Sequence, residues 1–431
     1  MAQYGQVDAS ALWLKHFAKI LEGFGMTRLK SDPCVFVKRA PNKELILLLT
    51  VFIDDVLVSG FPLEIERLKA YVKTKVDIKD LGPITKHLGV VYAMKSDKQG
   101  FYYECSMDKY KANLIAEYKK HVEKKDIKPY KTPALAGSMI VKKPNEKVDE
   151  AGYRRFRGKL MFGARKVWPD ICNAEREGCS VLACPSKEAW KALEREIGYL
   201  DQLTWPLKLR TPLSLQSIGN PDSSWASDAQ DRRSVTGSIT TIGGSCLTQW
   251  TSRKQKSIAT SSTEAEHYGY CDNAKDLIFQ HGLITEILGF EAPLPMILYG
   301  DNQGANFLAI NNNVSQRTKH IDIRYRFLVD LIESGRLEIR YIKTEENPAD
   351  IFSKNVKEEL HLKHAKAMYD GFVGTPLQEG VKYLKNTSRE PASDDSGAGD
   401  PHGGDEGSRD WVPVVAKGVR KSHTQKRAYQ S

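Results

Sequence analysis

The sequence offers little that would support a disulfide-rich, zinc-binding or membrane protein. Its 431 residues include seven cysteines, an odd number, and none of them forms a C-x-x-C pair or a Cys/His spacing typical of zinc sites. We expect them to be reduced thiols. The longest apolar run, Leu45 to Phe52, is far too short to cross a bilayer, and no charged-then-apolar signal opens the chain. We therefore expect neither secretion nor membrane insertion, and no membrane partner.

Apolar side chains are scarce in the last part of the chain. From Pro391 to Asp410 the sequence is mostly Gly, Ser, Asp and Pro. Such a segment cannot offset its ordering entropy by burial. Residues 386–431 are therefore predicted to be a disordered tail, with a basic end beyond Lys417 that is interpreted as solvated rather than as a nucleic-acid contact.

The rest of the chain can form real cores and carries a positive charge. Apolar residues make up 41% of the sequence, and a chain of this length suits two or three domains. Lys and Arg outnumber Asp and Glu by 64 to 54, which gives a formal charge of +10. That excess permits a polyanionic partner, although a mildly basic surface explains it equally well.

Three regions differ in their residue patterns. Residues up to about Tyr118 alternate β-rich runs with turn residues, whereas His121 to about Leu209 reads as helical pieces that include Lys187 to Leu200. From about Ser217 to Asp370, the pattern predicts three strands, a long helix, a strand, helices, a strand and a final helix. This last order is typical of a mixed α/β domain with its own core.

Two adjacent acids interrupt the β-rich run near residue 50. Asp54 and Asp55 follow Phe52, and strand-like residues resume at Val56, so the pattern predicts strand, acidic turn, strand. One interpretation is a metal-binding pair in a phosphoryl-transfer site. The other is a polar hairpin tip, where Asp suits the turn geometry.

Four acidic positions in the second half lie at predicted strand ends or helix starts. Such positions can bring residues that are distant in sequence to one point of a mixed sheet. Converging carboxylates repel one another unless cations lie among them, and oxygen ligands favour Mg²⁺ or Mn²⁺. The predicted catalytic and metal-binding residues here are Asp222, Glu266, Asp301 and Asp350.

The choice of glutamate rests on helix capping. Ser261 and Glu264 stand three residues apart, as in a capping box, so Glu264 already has a structural role at the helix N-terminus. Glu266 lies further into the helix and is the preferred ligand, with Glu264 kept as the alternative.

Several motifs resemble the reverse transcriptases of copia-type retrotransposons. Phe52-Ile53-Asp54-Asp55 resembles their Tyr-x-Asp-Asp box, and matching elements precede and follow it. These elements are Tyr4-Gly5, Trp13, Gly23-Phe24, Ser31-Asp32, Leu81-Gly82 and Leu88-Gly89. The resemblance implies that Asp54 and Asp55 hold polymerase metals with a template-primer as partner. In the family a third aspartate from an upstream strand completes that site, and its absence from this sequence predicts an inactive polymerase.

The second half resembles the ribonuclease H domain of the same elements. The matching motifs, in the family's order, are Asp231 to Gly237, Ser261 to Glu266, Gly300 to Asn302, Arg317 to Asp322 and Ala349 to Ile351. The resemblance implies that two Mg²⁺ or Mn²⁺ ions serve as cofactors for hydrolysis of the RNA strand of an RNA/DNA hybrid, leaving a 5′-phosphate and a 3′-hydroxyl. It also implies an intracellular location, in cytoplasmic particles encoded by the element, and leaves access to the nucleus open.

The predicted protein is multidomain, with α/β and α+β parts. Residues 1–120 would form a partial reverse-transcriptase palm and thumb region, 121–210 a helical connection, and 215–370 a ribonuclease H-like mixed-sheet domain. Two alternatives remain. A degenerate, non-catalytic element could still bind nucleic acid, and an integrase would need a zinc-binding His/Cys module and a different spacing of acids. Neither integrase feature is found in the sequence.

Overall fold

The structure is a computed structural model and describes residues 8–143, 146–228, 230–311, 322–378 and 412–417. These residues belong to two compact units. The first comprises the chain up to Leu88, the segment Gly282–Ala292 and the short strand after residue 411. The second comprises Gly89–His281 and the described residues from Pro293 onward to 378.

The first unit is built on a sheet covered by helices. In β3, alternate residues Leu47, Leu49 and Val51 are buried, as the two-residue period of a strand requires. They pack with buried residues of the first helix, such as Phe17 and Leu21. The elements are α1 (Ala9–Gly23), β1 (Thr27–Arg28), β2 (Val35–Arg39), β3 (Leu45–Phe52), β4 (Asp55–Gly60), α2 (Pro62–Lys73), β5 (Lys79–Pro83) and β6 (Lys86–His87).

Three helices lie where the sequence suggested only β-rich runs and turns. These are α1, α2 and α3 (Asp108–His121). The prediction missed them because it followed the β-branched runs and passed over the helical spacing of Phe17, Ile20 and Leu21, all buried on one face of α1.

A strand also interrupts the predicted disordered tail. β15 (Val412–Lys417) pairs antiparallel with β4 on one side and with β5 on the other. The expectation of disorder is therefore wrong for these six residues. It rested on the polar average composition of the segment, whereas this short run is rich in valine, which has strong strand propensity. The other residues of 386–431 lie outside the described part of the chain.

The second unit contains two sheets and most of the helices. β10, β11 and β12 pair antiparallel, and β13 and β14 extend the same sheet in parallel, in the order β12-β11-β10-β13-β14. The second sheet contains the antiparallel strands β7, β8 and β9. The strands are β7 (Val90–Asp97), β8 (Gly100–Ser106), β9 (Leu207–Arg210), β10 (Ser217–Ser224), β11 (Val235–Ile242), β12 (Cys246–Lys254), β13 (Met296–Gly300) and β14 (Leu337–Tyr341).

Most helices of this unit share one core with the five-stranded sheet. The helices after α3 are α4 (Glu150–Ala164), α5 (Cys172–Ser180), α6 (Lys187–Gln202), α7 (Ser262–Leu288), α8 (Gln303–Asn311), α9 (Asp322–Glu333), α10 (Asp350–Ser353) and α11 (Glu358–Tyr369). One buried cluster contains Tyr118 of the first predicted region, Phe156 and Leu193 of the helical region, and Ile239 and Phe352 of the sheet region. The boundaries proposed at 120/121 and 210/215 were placed where the residue pattern changes. Residues on both sides of each boundary pack in this one core.

The predicted order of elements from Ser217 to Asp370 is confirmed up to the last strand, which two helices, α10 and α11, follow instead of one. The helix beginning at Lys187 is confirmed as well. The end of α7, from Gly282 onward, groups with the first unit. There Arg39 donates to the carbonyls of Glu286, Ile287 and Leu288, which would otherwise lack partners at a helix C-terminus. In the part of the chain that the structure describes, no helix is long and apolar enough to cross a membrane.

Candidate functional site

Two of the predicted acids lie side by side at the carboxyl ends of parallel strands. Asp222 belongs to β10, and Asp301 directly follows β13. The register pairs Ile218 with Ile297, and each aspartate lies four residues beyond its member of that pair. The parallel register therefore brings both side chains to the same edge of the sheet.

Asp350 reaches this edge because the start of α10 lies against the sheet. Asn347 donates through its Nδ2 to the carbonyl oxygen of Pro221 at 2.9 Å and fixes the turn before the helix. Gly237 on β11 permits the close approach, since a Cβ at this position would lie 2.6 Å from the Cβ of Phe352 and 2.7 Å from the carbonyl oxygen of Ala349. Any larger residue at 237 would push α10, and Asp350 with it, away from the sheet.

The three aspartates form one group. One carboxylate oxygen from each of Asp222, Asp301 and Asp350 lies within 4.8 Å of the other two. Burial raises the pKa of Asp350 to about 8, and the charge of Asp222 adds to this rise. Burial also raises the pKa of Asp301, again with a contribution from Asp222. The ion-free protein therefore holds these acids against their mutual repulsion.

Glu266 lies next to this group. Its Oε1 accepts a hydrogen bond from the backbone N–H of Ser223, the residue after Asp222, at 3.2 Å. Its Oε2 is buried and has no hydrogen-bond partner among the described residues. Burial, together with the charges of Asp222 and Asp301, raises the pKa of Glu266 well above its usual range. A buried carboxylate oxygen without a partner beside three further acids is what a cation-binding site requires.

Glu264 is occupied elsewhere. Its Oε2 accepts from the backbone N–H and the hydroxyl of Thr260, both at 2.6 Å, and its Oε1 accepts from the hydroxyl of Tyr268 at 2.6 Å. The Ser261 hydroxyl accepts from the backbone N–H of Glu264 at 3.1 Å, which is the capping contact that the sequence predicts. Glu264 thus stabilises the start of α7, as its spacing from Ser261 indicates.

Two residues near the acids escaped the sequence analysis. The Lys354 ammonium lies 2.8 Å from Oδ1 of Asp350 and 3.8 Å from Oδ2 of Asp222. The Ser353 hydroxyl donates to Oδ2 of Asp222. Although burial works to lower the pKa of Lys354, the charges of Asp222 and Asp350 outweigh it and raise that pKa. The four-residue spacing from Asp350 to Lys354 was the available signal, because such a spacing brings two side chains of a helical turn together.

Asp54 and Asp55 form the predicted hairpin but not a cluster. β3 pairs with β4 from Leu47–Gly60 to Phe52–Asp55, so the predicted strand, turn and strand are confirmed. Ile53 at the tip has a φ of 54°, and its carbonyl oxygen accepts from Nε1 of Trp13 at 2.9 Å. Among the described residues, no third Asp, Glu, His or Cys joins the two aspartates in a group with metal-ligand spacing.

Two of the sequence motifs lie wholly or mostly outside the described residues. Tyr4-Gly5 and the stretch from Arg317 to Ile321 lie outside the described residues, and of Asp322 only its place at the start of α9 is described.

Known proteins resemble both halves of the chain. The family model for reverse transcriptase (RNA-dependent DNA polymerase) matches residues 1–134. The retrovirus-related Pol polyprotein from transposon TNT 1-94 of Nicotiana tabacum is 31% identical over 82% of this chain and 26% of its own length. The corresponding polyprotein from transposon RE2 of Arabidopsis thaliana is 28% identical over 82% of this chain and 24% of its own length. A solved structure of LC11-RNase H1 in complex with RNA/DNA hybrid is 12% identical, with a TM-score of 0.26, over 34% of this chain and 99% of that chain.

The relatives and the quoted motifs lead to one family. The chain spans about a quarter of the length of the curated polyproteins that it matches. Within that span, the match extends well beyond the reverse-transcriptase segment and includes most of the described elements of the second unit. The chain therefore belongs to the Pol polyproteins of copia-type retrotransposons and corresponds to a part of such a polyprotein.

Proposed function

We propose that the second unit is a ribonuclease H that hydrolyses the RNA strand of an RNA/DNA hybrid. The observation that carries this proposal is the meeting of Asp222, Asp301 and Asp350 within 4.8 Å, although they are far apart in the sequence. The strand order supports it as well, since three antiparallel strands followed by two parallel ones, with acids at the central strand ends, is the arrangement expected of the ribonuclease H fold.

Four residues would hold two divalent ions, Mg²⁺ or Mn²⁺. These are Asp222, Glu266, Asp301 and Asp350, and both Glu266 and Asp301 contribute a buried oxygen that has no hydrogen-bond partner among the described residues. When bound, the ions would activate a water and stabilise the leaving oxygen of an in-line displacement that leaves a 5′-phosphate and a 3′-hydroxyl.

The protein's own groups would orient these acids. The hydroxyl of Ser353 holds Asp222, and the backbone N–H of Ser223 holds Glu266, so each of these two carboxylates keeps one oxygen directed by a hydrogen bond. Such partners reduce the rotational freedom of the ligands before an ion arrives.

The substrate follows from the reverse-transcriptase family. Synthesis of DNA on an RNA template leaves a hybrid, and a nuclease in the same polyprotein would remove its RNA strand. The net charge of +10 suits a polyanionic duplex. Recognition would rest on groove shape and on the 2′-hydroxyls, which distinguish RNA from DNA without reading sequence.

We also propose that residues 1–134 do not polymerise DNA in this chain. Asp54 and Asp55 have no third ligand near them among the described residues, and two-metal catalysis requires both ions to be held in a fixed geometry.

Cleavage of a labelled RNA/DNA hybrid tests the nuclease. The wild-type chain should cut the RNA strand in Mg²⁺ or Mn²⁺, and Asp301→Asn should lower the rate more than about 100-fold, because even partners of metal ligands typically contribute 10- to 100-fold. Asp330→Asn is the matched control, since Asp330 is exposed on α9 outside the cluster. In EDTA, Asp301→Asn should melt at the wild-type temperature or above it, because one repelling charge has gone.

Two results would contradict the proposal. If Asp301→Asn cleaves at the wild-type rate, the acid cluster does not take part in the reaction. A wild-type chain that binds the hybrid but does not cut it in either metal would instead favour the non-catalytic alternative.

A further inference from the structure

A lysine lies beside two acids of the cluster. The Lys354 ammonium lies 2.8 Å from Oδ1 of Asp350 and 3.8 Å from Oδ2 of Asp222. Both aspartates are buried, with side chains that are 2% and 3% exposed. Lys354 thus bridges two acids that belong to different elements, one to β10 and one to α10.

A nearby cation stabilises the charged forms of these acids when no metal is present. Besides Asp222 and Asp350, the cluster includes Asp301 within 4.8 Å and Glu266 beside them. Hydrogen bonds from Ser353 and Ser223 solvate two of these carboxylates but supply no positive charge. Carboxylates packed together in a low-dielectric setting repel strongly, so a bridging ammonium relieves the repulsion that would push α10 from the sheet.

The ammonium of Lys354 can also move away from the acid cluster. The side chain of this lysine is 40% exposed, unlike the acids that it bridges, and a lysine stem is long and flexible. The ammonium can therefore move into solvent without any movement of the backbone, whereas the carboxylates cannot.

We propose that Lys354 is a built-in counterion, which holds the cluster together in the ion-free protein and is displaced when divalent ions bind. This inference rests on the metal site of the proposed function. Lys354 accordingly stabilises the ion-free fold and weakens metal binding, two effects of opposite sign that a merely structural salt bridge would not combine.

The test is Lys354→Met, which removes the charge and keeps most of the length of the side chain. Lys363→Met is the matched control, because the side chain of Lys363 is 44% exposed and its ammonium lies 2.6 Å from Oε1 of Glu346, outside the cluster. In EDTA, Lys354→Met should melt several degrees below wild type, and the control should stay close to wild type. In calorimetric titrations, Mn²⁺ should bind Lys354→Met several-fold more tightly than wild type, and saturating Mn²⁺ should abolish the difference in melting temperature.

The proposal is overturned if Lys354→Met melts in EDTA like Lys363→Met, or if its Mn²⁺ affinity is equal to or below that of wild type. Lack of Mn²⁺ binding by wild type would overturn both the displacement and the proposed function. Normal Mn²⁺ binding and displacement without hybrid cleavage would contradict the nuclease alone.

Discussion

The two glutamates at the start of α7 differ in what their carboxylates contact. Both side chains are buried, but Glu264 accepts hydrogen bonds from Thr260 and Tyr268, whereas one oxygen of Glu266 has no partner among the described residues. A buried carboxylate with satisfied oxygens serves the fold, and one that lacks a partner beside other acids suits a cation.

This contrast predicts opposite effects of two matched substitutions. Glu264→Gln should cost about 1 to 2 kcal/mol of stability, because the amide keeps only part of the hydrogen bonding, and should leave hybrid cleavage nearly intact. Glu266→Gln should lower cleavage more than about 100-fold, as expected for a lost ligand, and leave the melting temperature in EDTA unchanged or higher. Urea unfolding and cleavage assays on both variants measure this. If Glu264→Gln is inactive and Glu266→Gln is active, Glu264 and not Glu266 is the metal ligand.

A buried histidine should make stability depend on pH. Burial lowers the pKa of His361 to about 4, and the neighbouring His364 adds to the decrease. The imidazole packs edge-on against Tyr199 and lies 3.3 Å from its hydroxyl. In the unfolded chain the group titrates near pH 6.5, so the unfolded state takes up a proton first. The stability that His361 confers is present above about pH 6.5 and is lost as the pH falls towards 4.

The test compares wild type with His361→Gln, which cannot titrate. At pH 7.5 the variant should be less stable than wild type, because the packing against Tyr199 is altered. Between pH 7.5 and pH 4.5 the difference in the free energy of unfolding should change by roughly 2 to 3 kcal/mol in favour of the variant. Urea unfolding at both pH values measures this difference. A difference that does not vary with pH would mean that the imidazole has the same pKa in the folded protein as in the unfolded chain.

At the scale of elements, the pairing of β15 predicts that truncation before this strand lowers the stability of the first unit. The strand pairs with β4 from Gly60 to Asp55 and with β5 near Pro83 and Lys79. Its removal would leave two strands with unpaired backbone groups, which costs free energy wherever water cannot replace the lost partners.

Two truncations separate the strand from the rest of the segment. A chain that ends after Gln378 should melt several degrees lower in its first unit, whereas a chain that ends after Lys417 keeps β15 and should melt like wild type. Both should retain hybrid cleavage, because the acids belong to the second unit. Differential scanning calorimetry resolves the transitions. Equal melting of both truncations would show that β15 contributes no stability.

At the scale of the whole molecule, the two groups of acids differ in their burial and in the number of charged side chains that lie together. Asp54 and Asp55 stand at a hairpin tip with Phe52 and Ile53, whose side chains are 54% and 56% exposed. The acids of the second unit are mostly buried and have a nearby cation in Lys354. We therefore propose two-metal chemistry for the second arrangement alone, because its enclosure and its number of carboxylates suit two cations.

The chain should therefore cut hybrids without making DNA. Primer extension on a homopolymer template should give no product above background, while the same preparation cleaves the RNA of a hybrid. Asp54→Asn should leave cleavage unchanged, which makes it a control for the nuclease assay. Metal-dependent extension that disappears in Asp54→Asn would contradict the proposed inactivity of the polymerase half.

Local sequence was sufficient for much of the second half. Short-range patterns were enough for the order of elements along the chain from Ser217 and for the start of the helix that carries Glu266. They also placed Asp222, Asp301 and Asp350 at strand ends or a helix start. These patterns are readable because hydrophobic periodicity and capping act over a few residues. The same approach failed for α1 and β15, where a prediction based on regional composition overlooked a short periodic or β-branched run.

By itself, the sequence determined which acids are present, the hairpin around Asp54 and the capping role of Glu264. Only the tertiary structure decided that three aspartates meet within 4.8 Å, that Gly237 admits α10 against the sheet, and that Lys354 lies between two of the acids. The physical reason is the range of the interactions. Capping and periodicity are set by neighbours along the chain, whereas a carboxylate cluster depends on sheet register and on helix packing between segments more than a hundred residues apart, such as Asp222 and Asp350.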